Sequence, residues 1–389
     1  MPRVLLCGRP DLLTKPGGDT IQILGLQRHL GTLGQQTDLS LALRPRLDHI
    51  DLVHVFNLSR PMEPALQTAH AARLGRPVVL TPIYQDLAEY NRRGRHGAGR
   101  LLFRLLGHSD GLLETTRALI NLGRSAPAAA VAGLPPLLAA SLAHGGGAIA
   151  QLQAEILQRS DLVLFNSDLE EQTVRRCVPT LATHAASATV PVSIEPDELA
   201  ALDPMAFLGR YGLQPGFVLC VGRIEDLKNQ LGLIHALRPV PLQLVLVGPI
   251  NPLHRAYARA VTRAAARRPS TLVIHDLPRP LVLSAMSAAA VHVLPSWFET
   301  AGLTSLEAAA AGCAVVSTDR GYARALLGQD AHYCDPGDSS SIRRAVMHAL
   351  EQGPAAALQR RVTRELSHAR VAAQIRDLYS EVLAHKGLA

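Results

Sequence analysis

The chain has 389 residues, more than one ordinary hydrophobic core supports, since single cores rarely grow past roughly 250 residues, and a good size for two α/β domains. With 48% hydrophobic and 18% charged residues it is far from the composition of a disordered chain and has the material for a large packed interior. Lys and Arg exceed Asp and Glu by 39 − 32 = +7, which permits an anionic partner, whether a phosphate-bearing small molecule, an acidic membrane surface or nucleic acid, without choosing among them.

In chain order, the pattern opens with a short apolar strand at 4–7, a loop TKPGGDT (14–20) and an apolar-periodic helix over about 20–33. Further strand candidates are DLVHVF (51–56), PVVLT (77–81) and DLVLFNS (161–167), each short, apolar and followed by polar or turn residues, as buried parallel strands are. Between 91 and 147 the texture changes to an Arg-rich opening and then Ala, Gly and Pro-rich sequence, which predicts helices with loose connections. The alternation restarts with FVLCVG (217–222), LQLVLVG (242–248), TLVIHD (271–276), VHVLPS (291–296) and CAVVST (313–318). A last helix is expected over about 362–383, crossing back to the first domain. Strand, helix, strand in series implies parallel sheets with right-handed crossovers and ligands at the carboxyl ends of the strands. The expected architecture is α/β: two Rossmann-like parallel-sheet domains, 1–200 and 201–365, facing each other across a cleft, joined near the Pro-rich stretch 190–204, with a C-terminal helix in 366–389.

The N-terminal apolar burst is too short for a secretory signal, and no window offers the ~18 apolar residues of a spanning helix, so a cytoplasmic protein is expected. Cys7, Cys177, Cys220, Cys313 and Cys334 are scattered without a CxxC pair, which reads as buried fillers in a reducing compartment and predicts no metal site. No GxGxxG follows any strand, which argues against a dinucleotide oxidoreductase.

Chemistry concentrates in PSWFETAGLTSLEAAAAGCAVVST (295–318), where a strand ends, a loop carries Glu299, and a small-residue helix carries Glu307 near its start. Free N–H groups at the opening of that helix, around Gly302, Leu303 and Thr304, would attract a diphosphate. Glu307 could then accept from ribose hydroxyls and Glu299 from sugar hydroxyls. In FVLCVGRIEDLKNQ (217–230), Arg223 follows the strand-end Gly222 and Lys228 comes five residues later, converging two cations at a strand's carboxyl end. Lys228 is one of only three lysines, with Lys15 and Lys386. Lys15, Gly17 and Gly18 form a loop whose backbone N–H groups can approach a phosphate or an acceptor closely, and Asp19 could cap the following helix. Asp276 and Leu277, after another strand, would place backbone near the nucleotide base. Tyr84 and Asp86 are candidates for touching acceptor or sugar, with a core tyrosine and a helix-capping aspartate as equal alternatives. Arg92, Arg93, Arg95, Arg100 and Arg104, interleaved with Leu101, Leu102, Phe103, Leu105 and Leu106, could lie on an anionic membrane or form a solvated helix.

The 295–318 segment resembles the C-terminal signature of retaining glycosyltransferases of the GT-B fold, in particular the large family numbered four (group 1): a Pro-Ser, a glutamate, a glycine-containing loop, a second glutamate eight positions on, a small-residue helix and a VV strand. The usual loop reads Glu-Gly-Phe-Gly, whereas here it is Glu-Thr-Ala-Gly, and the family's N-terminal histidine has no counterpart in VVLTPIYQD (78–86). The resemblance implies that Arg223 and Lys228 bind the donor diphosphate, that Glu299 and Glu307 orient the donor, and that Gly17 and Gly18 reach the donor. It further implies sugar transfer from a nucleotide-diphosphate sugar to an acceptor hydroxyl with retention and without metal or cofactor. The acceptor would be a glycan or lipid-linked sugar in cell-envelope polysaccharide or glycolipid synthesis, with no nucleic-acid partner and peripheral contact at the inner face of the membrane an open option. A sugar-nucleotide epimerase, or a non-catalytic sugar-nucleotide-binding protein of the same fold, is the alternative.

Overall fold

A parallel strand covered by helices on both faces must be apolar at nearly every position, and the short Val, Leu and Ile runs of this chain meet that demand. The computed structural model describes residues 2–97, 148–178, 186–200 and 202–388. They divide into two units: one holds the described residues of Met1–Tyr84, Leu106–Ser193 and His368–Ala389, the other those of Gln85–Leu105 and Ile194–Ser367. Arg100, Arg104, the apolar residues interleaved with them, and most of the Ala, Gly and Pro-rich stretch lie outside the described residues.

The first unit contains a parallel six-stranded sheet in the order β2-β1-β3-β4-β5-β6, formed by β1 (Arg3–Cys7), β2 (Gln36–Ser40), β3 (Leu52–Phe56), β4 (Val78–Thr81), β5 (Leu162–Phe165) and β6 (Ala186–Thr189). The second contains another, ordered β12-β11-β10-β7-β8-β9, from β7 (Val218–Val221), β8 (Leu244–Val247), β9 (Thr271–Ile274), β10 (Val291–Leu294), β11 (Ala314–Thr318) and β12 (His332–Cys334). Alternation along a strand sends side chains to opposite faces: Leu5 and Cys7 enter one core and Val4 and Leu6 the other, while Val218 and Cys220 part from Leu219 and Val221 in the same way. Cys7, Cys220, Cys313 and Cys334 are buried, and burial pushes their thiols up to about 12, so they pack as small apolar groups rather than as nucleophiles.

The expected single helix over 362–383 is two: Ala356–Glu365 and His368–His385. The break lies where the backbone is recruited elsewhere, for the Leu366 carbonyl accepts from the Ile194 N–H at 2.8 Å and Ile194 forms a parallel bridge with Ser367. The last helix belongs to the first unit, where Val371, Ala372, Ile375, Tyr379, Val382 and Leu383 form one apolar stripe against the helix Gly18–Thr32. None of the described helices is long and apolar enough to cross a membrane.

Tyr379 is fully buried, and its hydroxyl meets His54 Nδ1 at 2.6 Å while His54 Nε2 meets Thr81 Oγ1 at 2.8 Å. Burial pushes the His54 imidazole down to about 3, so it is neutral in the folded protein. The unfolded chain takes up that proton near its ordinary value of 6.5 and the folded chain does not, so the contribution of His54 is whole above that pH and falls as the solution is acidified toward about 3. Urea titrations at pH 6.5 and 4.5 should therefore show His54→Gln losing about 2 kcal/mol less on acidification than the wild type. Equal losses in the two proteins would mean that His54 is not held neutral.

Candidate active site

In the second sheet the chain runs outward through β7, β8 and β9, then crosses to the other side of β7 to build β10, β11 and β12. The loops after β7 and β10 therefore leave the sheet side by side at a topological switch point, the place where parallel sheets hold ligands. The loop after β7 carries Gly222 and Arg223 and leads to the 3-10 turn Asp226–Lys228, while the loop after β10 carries Glu299 and Gly302.

Seventy-one positions apart in sequence, Lys228 Nζ and Glu299 Oε1 meet at 2.6 Å. Both are largely withdrawn from water, with 20% and 6% of their side-chain surfaces exposed. The Glu299 backbone is fixed as well: its N–H donates to the Arg320 carbonyl at 3.3 Å and its carbonyl accepts from Tyr322 N–H at 2.7 Å. Gly321, between them, has φ +88, and a Cβ there would lie 2.1 Å from the Glu299 carbonyl oxygen, so the loop requires glycine.

Gly302, in the left-handed conformation at φ 63, turns the chain into the helix Leu303–Ala310, and Thr304 Oγ1 donates to the Val221 carbonyl at 3.3 Å. That opening thus sits against the end of β7, with its first N–H groups lacking intrahelical partners by helix geometry. Glu307, buried in the same helix, binds Arg279 Nη2 at 2.9 Å, and Arg279 also holds Glu198 at 2.6 Å. Burial pushes the Glu307 carboxyl up, and Arg279 pulls it part of the way back. Arg223 is half-exposed and reaches Glu225 at 3.1 Å; Glu225, buried, also accepts from Asn251 Nδ2 at 2.5 Å.

Asp276 is exposed and Leu277 half-buried in the turn between β9 and the helix Arg279–Ala288. Arg279 was missed in the sequence, although a guanidinium at a helix N-terminus opposes the helix dipole and so marks a residue placed for another reason. The second unit thus brings together Gly222, Arg223, Lys228, Glu299, Gly302, Leu303, Thr304 and Glu307 around one sheet edge.

The remaining candidates stand elsewhere. Gly17 and Gly18 open the helix Gly18–Thr32 of the first unit, where the Gly17 N–H donates to Thr20 Oγ1 at 3.0 Å. Asp19 does not cap this helix; Gly17 holds the cap position, and the Asp19 carboxylate pairs with Arg9 Nε at 2.7 Å. Arg9 further binds Asp11 at 2.8 Å and the Lys15 carbonyl at 2.7 Å, tying down the glycine loop. A small cavity beside it is lined by Arg9, Asp19, Phe56, Asn57, Arg60 and Glu63. Tyr84 packs in the core of the first unit, and Asp86 accepts from the Ala88 N–H at 3.1 Å.

Residues 215–352 match the family described as glycosyl transferases group 1. No curated protein matches the sequence. Among solved structures, the chain is similar to sucrose-phosphate synthase from Thermosynechococcus elongatus, with a TM-score of 0.72, 17% identity, and 99% of this chain and 100% of that one covered. It is likewise similar to HepE from Anabaena in complex with UDP and glucose, with a TM-score of 0.68, 15% identity and coverage of 98% and 100%. A third is an α,α-trehalose-phosphate synthase (UDP-forming) from Burkholderia xenovorans in complex with glucose-6-phosphate, with a TM-score of 0.64, 12% identity and coverage of 98% and 100%.

Removing one partner of a mostly buried ion pair strands the other's charge. Lys228→Ala should lower the free energy of unfolding by about 2–3 kcal/mol, and adding Glu299→Gln should restore at least half of the loss. Urea denaturation of the two variants checks this, and a Lys228→Ala protein as stable as the wild type would refute the pairing.

Residues 215–352 thus match the family described as glycosyl transferases group 1, and the chain as a whole has the GT-B fold of two parallel six-stranded α/β units.

Proposed function

We propose that this protein transfers a sugar from a nucleoside diphosphate sugar to an acceptor hydroxyl, with retention at the anomeric carbon and without a metal ion. The observation that carries the reading is the constellation at the β7 and β10 switch point, where Lys228 is held on Glu299 at 2.6 Å beside Arg223 and the opening of the helix Leu303–Ala310. The match of residues 215–352 to the group 1 glycosyltransferases supports a transferase, and the UDP and UDP-glucose held by HepE support a nucleoside diphosphate sugar as donor.

As the bond between the anomeric carbon and the diphosphate breaks, negative charge builds on the departing oxygen. Arg223, Lys228 and the N–H groups at Gly302 to Thr304 are fixed where they can take up that charge, which lowers the barrier without reorganisation at the moment of reaction. The acceptor hydroxyl forms the new bond on the face the diphosphate leaves, and its proton passes to the diphosphate oxygen, so the configuration is kept and no dedicated base is required. Glu307 accepts from the donor ribose hydroxyls, with Arg279 Nη2 held on its carboxyl at 2.9 Å. Glu299 orients the sugar through its hydroxyls. Asp276 and Leu277 offer backbone to the base.

The acceptor class, a glycan or lipid-linked sugar of cell-envelope or glycolipid synthesis, rests on the family resemblance. So do the cytoplasmic setting and the acceptor-side roles for Gly17, Gly18, Tyr84 and Asp86. Peripheral membrane contact through the basic stretch would draw on Arg92, which is exposed, since Arg93 pairs with Glu89 at 2.7 Å and Arg95 binds Asn91 at 2.7 Å.

Thermal melting of the purified protein against UDP, GDP, ADP and TDP sugars, with and without chelator, tests the donor site. One nucleotide should raise the melting temperature with chelator present, and Glu307→Gln should abolish the shift. A shift that the chelator removes would refute metal independence, and no shift with any nucleotide would refute the donor site. A shift without sugar transfer to glycan or lipid-linked acceptors would favour a non-catalytic binding protein.

A further inference from the structure

The segment 85–97 follows β4 of the first unit in sequence yet packs with the second unit, where it forms a one-turn π-helix at Tyr90–Gly94. Its contacts converge on three supports of Lys228 and Glu299: Asp226, Trp297 and Arg320. The buried Tyr90 hydroxyl donates to Asp226 Oδ1 at 2.5 Å, and the His96 N–H donates to Asp226 Oδ2 at 3.0 Å. Asp226 opens the 3-10 turn that ends at Lys228, and its carbonyl accepts from the Asn229 N–H at 3.2 Å. Gly94 lies against the Trp297 indole so closely that a Cβ on it would stand 2.6 Å from Trp297 Cγ, and the Arg93 guanidinium lies 5.6 Å from the ring centre. Trp297, two residues before Glu299, donates its N–H to the Leu227 carbonyl at 2.8 Å, which joins the two loops directly. Glu89 binds Arg320 Nε at 2.6 Å, and the Arg320 carbonyl is the acceptor for the Glu299 N–H.

Each contact stops two residues or one backbone hydrogen bond short of the ion pair, and each comes from the same short segment. We propose that residues 85–97 are a strap whose Tyr90, Gly94 and Glu89 position the Lys228–Glu299 pair for the donor diphosphate, making Tyr90 and Glu89 positioning residues of the site. The inference rests on the donor reading given above for its consequence, and on the free protein's geometry for its premise.

Two measurements separate premise from consequence. Hydrogen exchange of the free protein needs no ligand: Tyr90→Phe and Glu89→Ala should speed exchange at the hydrogen-bonded amides of Lys228, Asn229, Trp297 and Glu299 while β7, β8 and β10 exchange as before. Unchanged protection at those four amides would overturn the strap. Binding is then followed with UDP, GDP and ADP in wild type, Tyr90→Phe, Glu89→Ala, Lys228→Ala and the two combinations with Lys228→Ala. Each strap variant should weaken the nucleotide that binds by about five- to tenfold alone and by less than about twofold once Lys228 is gone, because coupled residues are non-additive. Glu89→Gln, which keeps an acceptor for Arg320, should restore most of the affinity lost in Glu89→Ala. Full additivity would overturn the proposal, assigning the strap a structural role only. Faster exchange at the four amides together with no binding by the wild type would support the strap and instead refute the donor reading.

Discussion

A parallel sheet whose crossovers are right-handed can reverse its direction of growth only by sending the chain to the other side of an earlier strand, and the second unit does this once, between β7 and β10. Everything at the candidate site follows from that reversal. The two loops that part there bring Lys228 to Glu299, although the residues between them build three strands and three α-helices. The helix after β10 then opens beside the end of β7, where Thr304 is bonded to the last residue of that strand. One topological event thus supplies the cations, the carboxylate and the helix opening without any loop having to be long.

Buried charges at this edge are consistently provided with partners. Glu299 has Lys228, Glu307 has Arg279, Glu225 has Arg223 and Asn251, and Asp226 has Tyr90 and His254. Burial alone would push the Asp226 carboxyl up, but the hydrogen bonds from His254 and Tyr90 outweigh it and hold it below the usual range. Such pairs contribute little net stability, because desolvation offsets most of the attraction. Their value lies in fixed geometry: charges that are already oriented need not be reorganised when a charged ligand arrives.

The central strands were legible in the sequence because burial on both faces demands an uninterrupted apolar run. Of the four edge strands, β2, β6 and β12 were not, since QTDLS, ASAT and HYC face a neighbour on one side only and are free to be polar or short, whereas β9 kept the apolar run TLVI and was legible. At the site, Arg223, Lys228, Glu299 and Glu307 were legible through the spacing of a known signature. Their supports were not, because they come from far along the chain: Tyr90 is 136 positions from Asp226, and Glu89 is 231 from Arg320. Local pattern carries no information about such pairings, and the two helices at 356–365 and 368–385 illustrate the same limit. Their boundary is set by Ile194, a residue outside the periodic segment.

The strap also begins from a fixed point. The residue before it, Tyr84, donates its N–H to Glu170 Oε1 at 2.6 Å, and the other oxygen of that fully buried carboxyl accepts from the Asn166 N–H at 2.7 Å. Burial pushes Glu170 up to about 7, with the two backbone N–H groups drawing it back toward the charged form. Tyr84 therefore serves this molecule through its backbone, as the anchored residue immediately before the strap. The strap itself belongs to the second unit, and its hold on the candidate donor site runs through Asp226, Trp297 and Arg320.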